Sequence, residues 1–135
     1  MTVQYSTTVR NAMLDAIETS IGTSAQLWIH TGSMPANCAA ARTGTQLVDI
    51  NLASDWASAA SGGSKAFSSV PLSTTALAAG TCGYYSIMDS AGTTCHEQGT
   101  VTATGGGGDM TIDNAVLASG QTVQVTGFTK TAPGA

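Results

Sequence analysis

The chain has 135 residues, a net charge of −4 and 9% charged residues, against about 25% in an ordinary soluble domain. That length fits one domain, residues 1–135, with a modest core. Its few cations, Arg10, Arg42, Lys65 and Lys130, are scattered, which argues against phosphate-backbone binding. No apolar run approaches the roughly 18 residues of a membrane span. The expected partners therefore include neither nucleic acid nor membrane.

Alanine, threonine, glycine and serine make up more than half of the chain. Such small, uncharged residues suit strands, tight turns and close protein contacts. The start, residues 1–5, lacks the basic and apolar blocks of a secretory signal, so a cytoplasm is the expected place of synthesis. Cys38, Cys82 and Cys95 form no CxxC pair, and reduced thiols are the expectation there. One disulfide with a leftover thiol is the alternative.

In chain order, residues 1–5 read as an extended, uncharged arm reaching a neighbour or, equally, as a frayed tail. Val3 and Tyr5 are its interface candidates, for contact with a neighbouring molecule. Residues 7–21 read as a helix. Val9, Met13, Ile17 and Ile21 recur every four residues as one apolar stripe, with Asp15 and Glu18 on the polar side. Ser6 or Thr7 suits the start and Gly22 the stop.

Residues 24–130 read as β structure. Leu27 and Ile29 alternate with Trp28 and His30 over residues 24–31, and Val48, Ile50 and Leu52 mark a strand over 45–53. Residues 66–72 form a weaker candidate. Residues 83–89 and 93–101 flank the turn Ser90-Ala91-Gly92, a hairpin signal. Met110 and Ile112 mark a short strand, and Val123, Val125 and Phe128 a last one. The run Gly105 to Gly108 reads as a hairpin tip. About seven short strands predict an antiparallel β-sandwich, jelly-roll- or immunoglobulin-like, behind one N-terminal α-helix.

Chemical signatures are sparse. Gly62-Gly63-Ser64-Lys65 departs from GxxxxGK[ST] and reads as a turn. His30 and His96 fall on strands, where a solvent-facing histidine is the plain expectation. A metal site needs three or four converging ligands, and the spacing of His30, His96 and Glu97 offers none. Cys95 and His96 are neighbours on a strand and point to opposite faces, so they form no nucleophile–base pair. Asp109 and Asp113 read as a solvated edge. If Ile87 faces Cys95 across the hairpin, Tyr85 faces Glu97. That leaves Glu97 paired, at a rim or at an interface, unless the register slips by one. No catalytic residue, metal or cofactor is expected. Trp28 and Trp56 lie outside the clearest core positions and are interface candidates; for Trp28 the alternative is a second sheet face covered by the N-terminal helix.

Three stretches resemble a family of small virion proteins of tailed bacteriophages. They are Thr8-Val9-Arg10-Asn11-Ala12-Met13-Leu14-Asp15-Ala16 leading into Leu27-Trp28-Ile29-His30-Thr31-Gly32; Ala60-Ser61-Gly62-Gly63-Ser64-Lys65-Ala66; and Gly83-Tyr84-Tyr85 through Asp89-Ser90-Ala91-Gly92-Thr93-Thr94-Cys95 to Gly120-Gln121-Thr122-Val123-Gln124-Val125-Thr126-Gly127-Phe128. The resemblance implies a capsid decoration or cement protein on the capsid exterior, assembled in a bacterial host cytoplasm. Its implied partner is the major capsid protein. It carries over no catalytic residue. A homo-oligomer is expected, with a trimer at three-fold sites as its symmetry. Two alternatives stand beside this: a tail, neck or head-fibre component, and a carbohydrate-binding module using Trp28, Tyr84 and Tyr85 as aromatic platforms.

Overall fold

The computed structural model describes residues 3–68 and 72–135. Helix α1 (Thr7–Ile21) is followed by β1 (Gln26–Thr31), β2 (Gln46–Asn51), β3 (Ser64–Ala66), β4 (Leu72–Thr75), β5 (Gly80–Met88), β6 (Cys95–Ala103), β7 (Met110–Ile112), β8 (Val116–Leu117) and β9 (Thr122–Thr131). The strands join in one curled, half-barrel sheet of order β2-β1-β5-β6-β7-β9-β3, with β4 on β9 and β8 on β5. The protein is thus mainly β with one helix. The antiparallel-only expectation is corrected, because β6 and β7 run parallel, with Val101 beside Met110. The glycine run therefore does not tip a hairpin: it carries the chain back between two parallel strands. The candidate strand over 66–72 splits into β3 and β4, and its residues 69–71 lie outside the described residues.

Burial explains the layout. Leu27 and Ile29 on β1, Ile87 on β5, Met110 and Ile112 on β7, and Val125 on β9 are all sealed from solvent in one cluster. Each such side chain contributes about 1.5–3 kcal/mol on leaving water. The aromatic centre of the cluster is Phe128. It stacks on Phe67 at 4.5 Å and meets the edge of Tyr85 at 5.2 Å.

The opposite face of β1, β5 and β6 is covered by the long loop between β1 and β2, not by the helix. Arg42 staples that loop down, donating to Ser86 Oγ at 3.0 Å, Gln98 Oε1 at 2.7 Å and Ala40 O at 2.7 Å. Tyr84 donates its hydroxyl to Thr43 O at 2.6 Å. Under this cover His30 is buried and stacks on Tyr84 at 5.4 Å, which corrects its solvent-facing placement.

Burial, then the Arg42 charge, hold the His30 imidazole below its usual 6.5. The unfolded chain therefore takes a proton that the folded chain resists. Stability from this site is full above the unfolded value and falls as pH drops towards the folded one. His30→Phe should flatten the decline in Tm between about pH 7 and 5. An unchanged slope would remove His30 as the cause. Asp15, held low by the Lys65 amine, and Asp89, held low by the backbone N–H of Thr93, act only further down, in the carboxylate range.

Helix α1 begins and ends where the sequence places it. Ser6 Oγ accepts from Val9 N at 3.3 Å, and Gly22 N–H caps Glu18 O at 2.9 Å. Its orientation differs in part from expectation. The buried residues are Arg10, Leu14 and Ile21, with Ile17 packed against the core, so the second half of the four-residue stripe faces inward while Val9 and Met13 do not. Arg10 donates to Ala132 O at 2.9 Å, Asn11 accepts from Gly63 N at 2.8 Å, and Asp15 accepts from Ala60 N at 2.9 Å. Asp15 and Glu18 both hold Lys65, at 2.7 and 2.8 Å. The Gly62-Gly63 segment they grip is a two-residue hairpin turn with positive φ at both positions, closed by reciprocal Ser61–Ser64 backbone bonds. It is the plain turn the sequence predicts.

Candidate interaction surface

Helix α1 docks through Arg10, Asn11, Asp15 and Glu18 together with Leu14, Ile17 and Ile21, which leaves Val9 and Met13 outside. Val9 is 43% exposed and Met13 39%. Four residues apart on a helix, they share a face. Beside Met13 runs an open groove lined by Ala16, Ile17, Ser20, Ile21 and His96. In the arm before the helix, Val3 and Tyr5 are exposed as well. Tyr5 is not a frayed end: its N–H donates to Gly134 O at 2.7 Å. Exposed apolar side chains beside an open groove are a feature of contact sites. Leu77 and Val116 are exposed elsewhere on the surface, at 57% and 64%.

The four interface candidates separate clearly. Val3 and Tyr5 are exposed on the arm. Trp28 is half-buried on β1, with its indole N–H on Gln26 Oε1 at 3.1 Å. Trp56 is a core residue, 3% exposed, with its indole N–H on Gly22 O at 2.9 Å, so it offers no free surface. Tyr84 and Tyr85 are both buried, and the three-ring aromatic platform is corrected accordingly. The residues that sequence reasoning missed are Val9 and Met13, assigned by their spacing to the core. The available signal was Arg10, Asn11, Asp15 and Glu18 flanking Leu14, a set of side chains able to reach backbone and an amine.

Other polar groups are committed within the fold. Asp109 accepts from Thr100 N and Oγ1, each at 2.9 Å, and Asp113 from Gln124 N at 2.9 Å. Among the described residues no three His, Cys, Asp or Glu side chains converge on a metal position, and no helix is long and apolar enough to cross a membrane. Burial pushes the thiols of Cys82 and Cys95 up to about 11, so neither is a thiolate nucleophile at neutral pH.

One polar cluster lies inside. Lys130 on β9 pairs with Glu97 on β6, and Tyr85 donates its hydroxyl to Glu97 Oε1 at 2.7 Å. The strand register places Ile87, not Tyr85, opposite Glu97, with a bulge before Met88. Glu97 is therefore the paired inner acid among the alternatives left open by the sequence. No protein family, curated protein or solved structure matches this chain.

Proposed function

We propose that the protein is a structural component of a tailed-bacteriophage virion, a capsid decoration or cement protein seated on the outside of the major capsid lattice. The observation that carries this reading is the helix docked through Arg10, Leu14 and Ile21 with Val9 and Met13 left exposed, next to an arm whose Val3 and Tyr5 are exposed too. The sparse charge of the chain supports it, since residues covered by neighbours need little. So does the resemblance to small phage virion proteins. The reading assigns no catalytic residue and no cofactor, and it does not depend on a jelly-roll or immunoglobulin-like sandwich.

The mechanism is avidity. A trimer touches several capsid subunits at once, and its second and third contacts are intramolecular. Binding the assembled lattice and not the loose subunit stabilises the lattice by linkage. Replacing both Val9 and Met13 by Ser should reduce particle occupancy at least tenfold and leave the Tm of the free protein nearly unchanged. Full occupancy of that variant would remove these two residues from the interface. Copy number on purified particles tests the wider reading. A value comparable to the major capsid subunit supports decoration; about a dozen copies moves the protein to a tail or neck ring.

A further inference from the structure

The Lys130–Glu97 pair lies where the sheet opens. Strands β6 and β9 are joined through β7, which begins only at Met110, pairing with Val101 on one side and Phe128 on the other. Glu97 precedes Val101 and Lys130 follows Phe128, so both lie past the end of β7, where no ladder bridges the two long strands. Their side chains meet in that gap, largely shielded at 15% and 18% exposure. The surroundings are aromatic: Lys130 Nζ is 5.1 Å from the centre of the Phe128 ring and 6.0 Å from that of Trp56.

The geometry points to a covalent modification that goes beyond the virion reading: an intramolecular amide bond between Lys130 Nζ and Glu97 Cδ. Four features favour it. The amine and the carboxyl are in direct contact. Tyr85 donates to the other carboxyl oxygen, Oε1, where negative charge develops when the carbonyl is attacked. Lys65 sits directly opposite Lys130 in the β3–β9 register, with its own charge held by Asp15 and Glu18. A second cation beside it is disfavoured. Finally, the fixed contact replaces a bimolecular encounter, and the apolar walls limit the water that would reverse the reaction.

Burial lowers the Lys130 pKa, and Lys65 lowers it further against the opposing pull of Glu97. Burial also raises the Tyr85 hydroxyl well above its ordinary range, so it remains a proton donor. The step starts with transfer of one Nζ proton to Glu97 Oε2 across their direct contact, which frees the Nζ lone pair. The Nζ lone pair attacks Cδ. One Nζ proton moves to the protonated Oε2, the Cδ–Oε2 bond breaks and a water molecule leaves. The products are one amide and one water, with no change of oxidation state and no co-reactant. The amide oxygen keeps its bond from Tyr85.

Peptide mass spectrometry tests this on the purified, reduced and denatured chain. Trypsin cuts after free lysine but not after an acylated one. The expected result is residues 66–135 as one uncut peptide, lighter by one water, with fragment ions placing the loss on a Glu97–Lys130 link. Cleavage after Lys130, with residues 66–130 at full mass, would overturn the proposal. Lys130→Arg should restore the full mass. A persisting water loss in that variant would place the modification elsewhere and equally overturn it. Tyr85→Phe should reduce the linked fraction if the hydroxyl assists the attack.

Discussion

Phe128→Ala is expected to cost about 3–5 kcal/mol, the range for removing a buried aromatic ring. Urea unfolding should show an earlier midpoint at an unchanged slope. Phe128 joins two parts of the core, stacking on Phe67 and meeting Tyr85 edge-on. Its backbone pairs with Met110 at the start of β7. Few neighbours are free to fill the void, because the rings around it are fixed by partners: Tyr85 by Glu97, and Trp56 by Gly22 O. The same ring walls the Lys130 amine, so the variant should also admit water to that pair. A loss below about 1 kcal/mol would mean that the aromatic cluster collapses readily onto the space.

Gly83→Ala is the second large effect, of about 3 kcal/mol or more, from overpacking that backbone must absorb. Gly83 lies at a bulge in the β1–β5 pairing, where the register shifts between His30 and Thr31. A Cβ there would overlap the carbonyl oxygen of Gly32. The obstacle is backbone, with no flexible side chain to swing aside. The strands must part at the root of the loop that Arg42 holds over His30 and Tyr84. Circular dichroism melts would show the lowered Tm. A variant as stable as the parent would require a shift in the Gly32 backbone, visible as altered amide exchange nearby.

Much of the secondary structure was legible because period and punctuation agree. Helix 7–21 has both its limits in Ser6 and Gly22, and β1, β2, β7 and β9 follow from alternating apolar residues. β8, two residues long, is too short to show a period. The parallel β6–β7 pairing was not legible, since a glycine run between two strands signals a turn and says nothing of the direction taken after it. The sequence showed which residues of α1 are apolar but not which face packs. Its spacing treats burial as the only force on the helix. Here a buried Arg10, the Gly63 and Ala60 amides and the Lys65 amine also draw polar residues inward, so Ile17 and Ile21 pack while Val9 and Met13 stay outside. Glu97 was legible as an inner acid only conditionally, because its role rests on Lys130, a residue 33 positions away.

Helix α1 separates two kinds of constraint on sequence. Arg10, Asn11, Leu14, Asp15, Glu18 and Ile21 answer to the fold, while Val9 and Met13 are exposed. Outer positions can therefore drift with whatever surface they meet, at little cost in foldability. Such a helix can be retargeted by changing its outer residues alone. Lineages of this protein would be expected to diverge fastest at those outer positions while the inward set stays fixed.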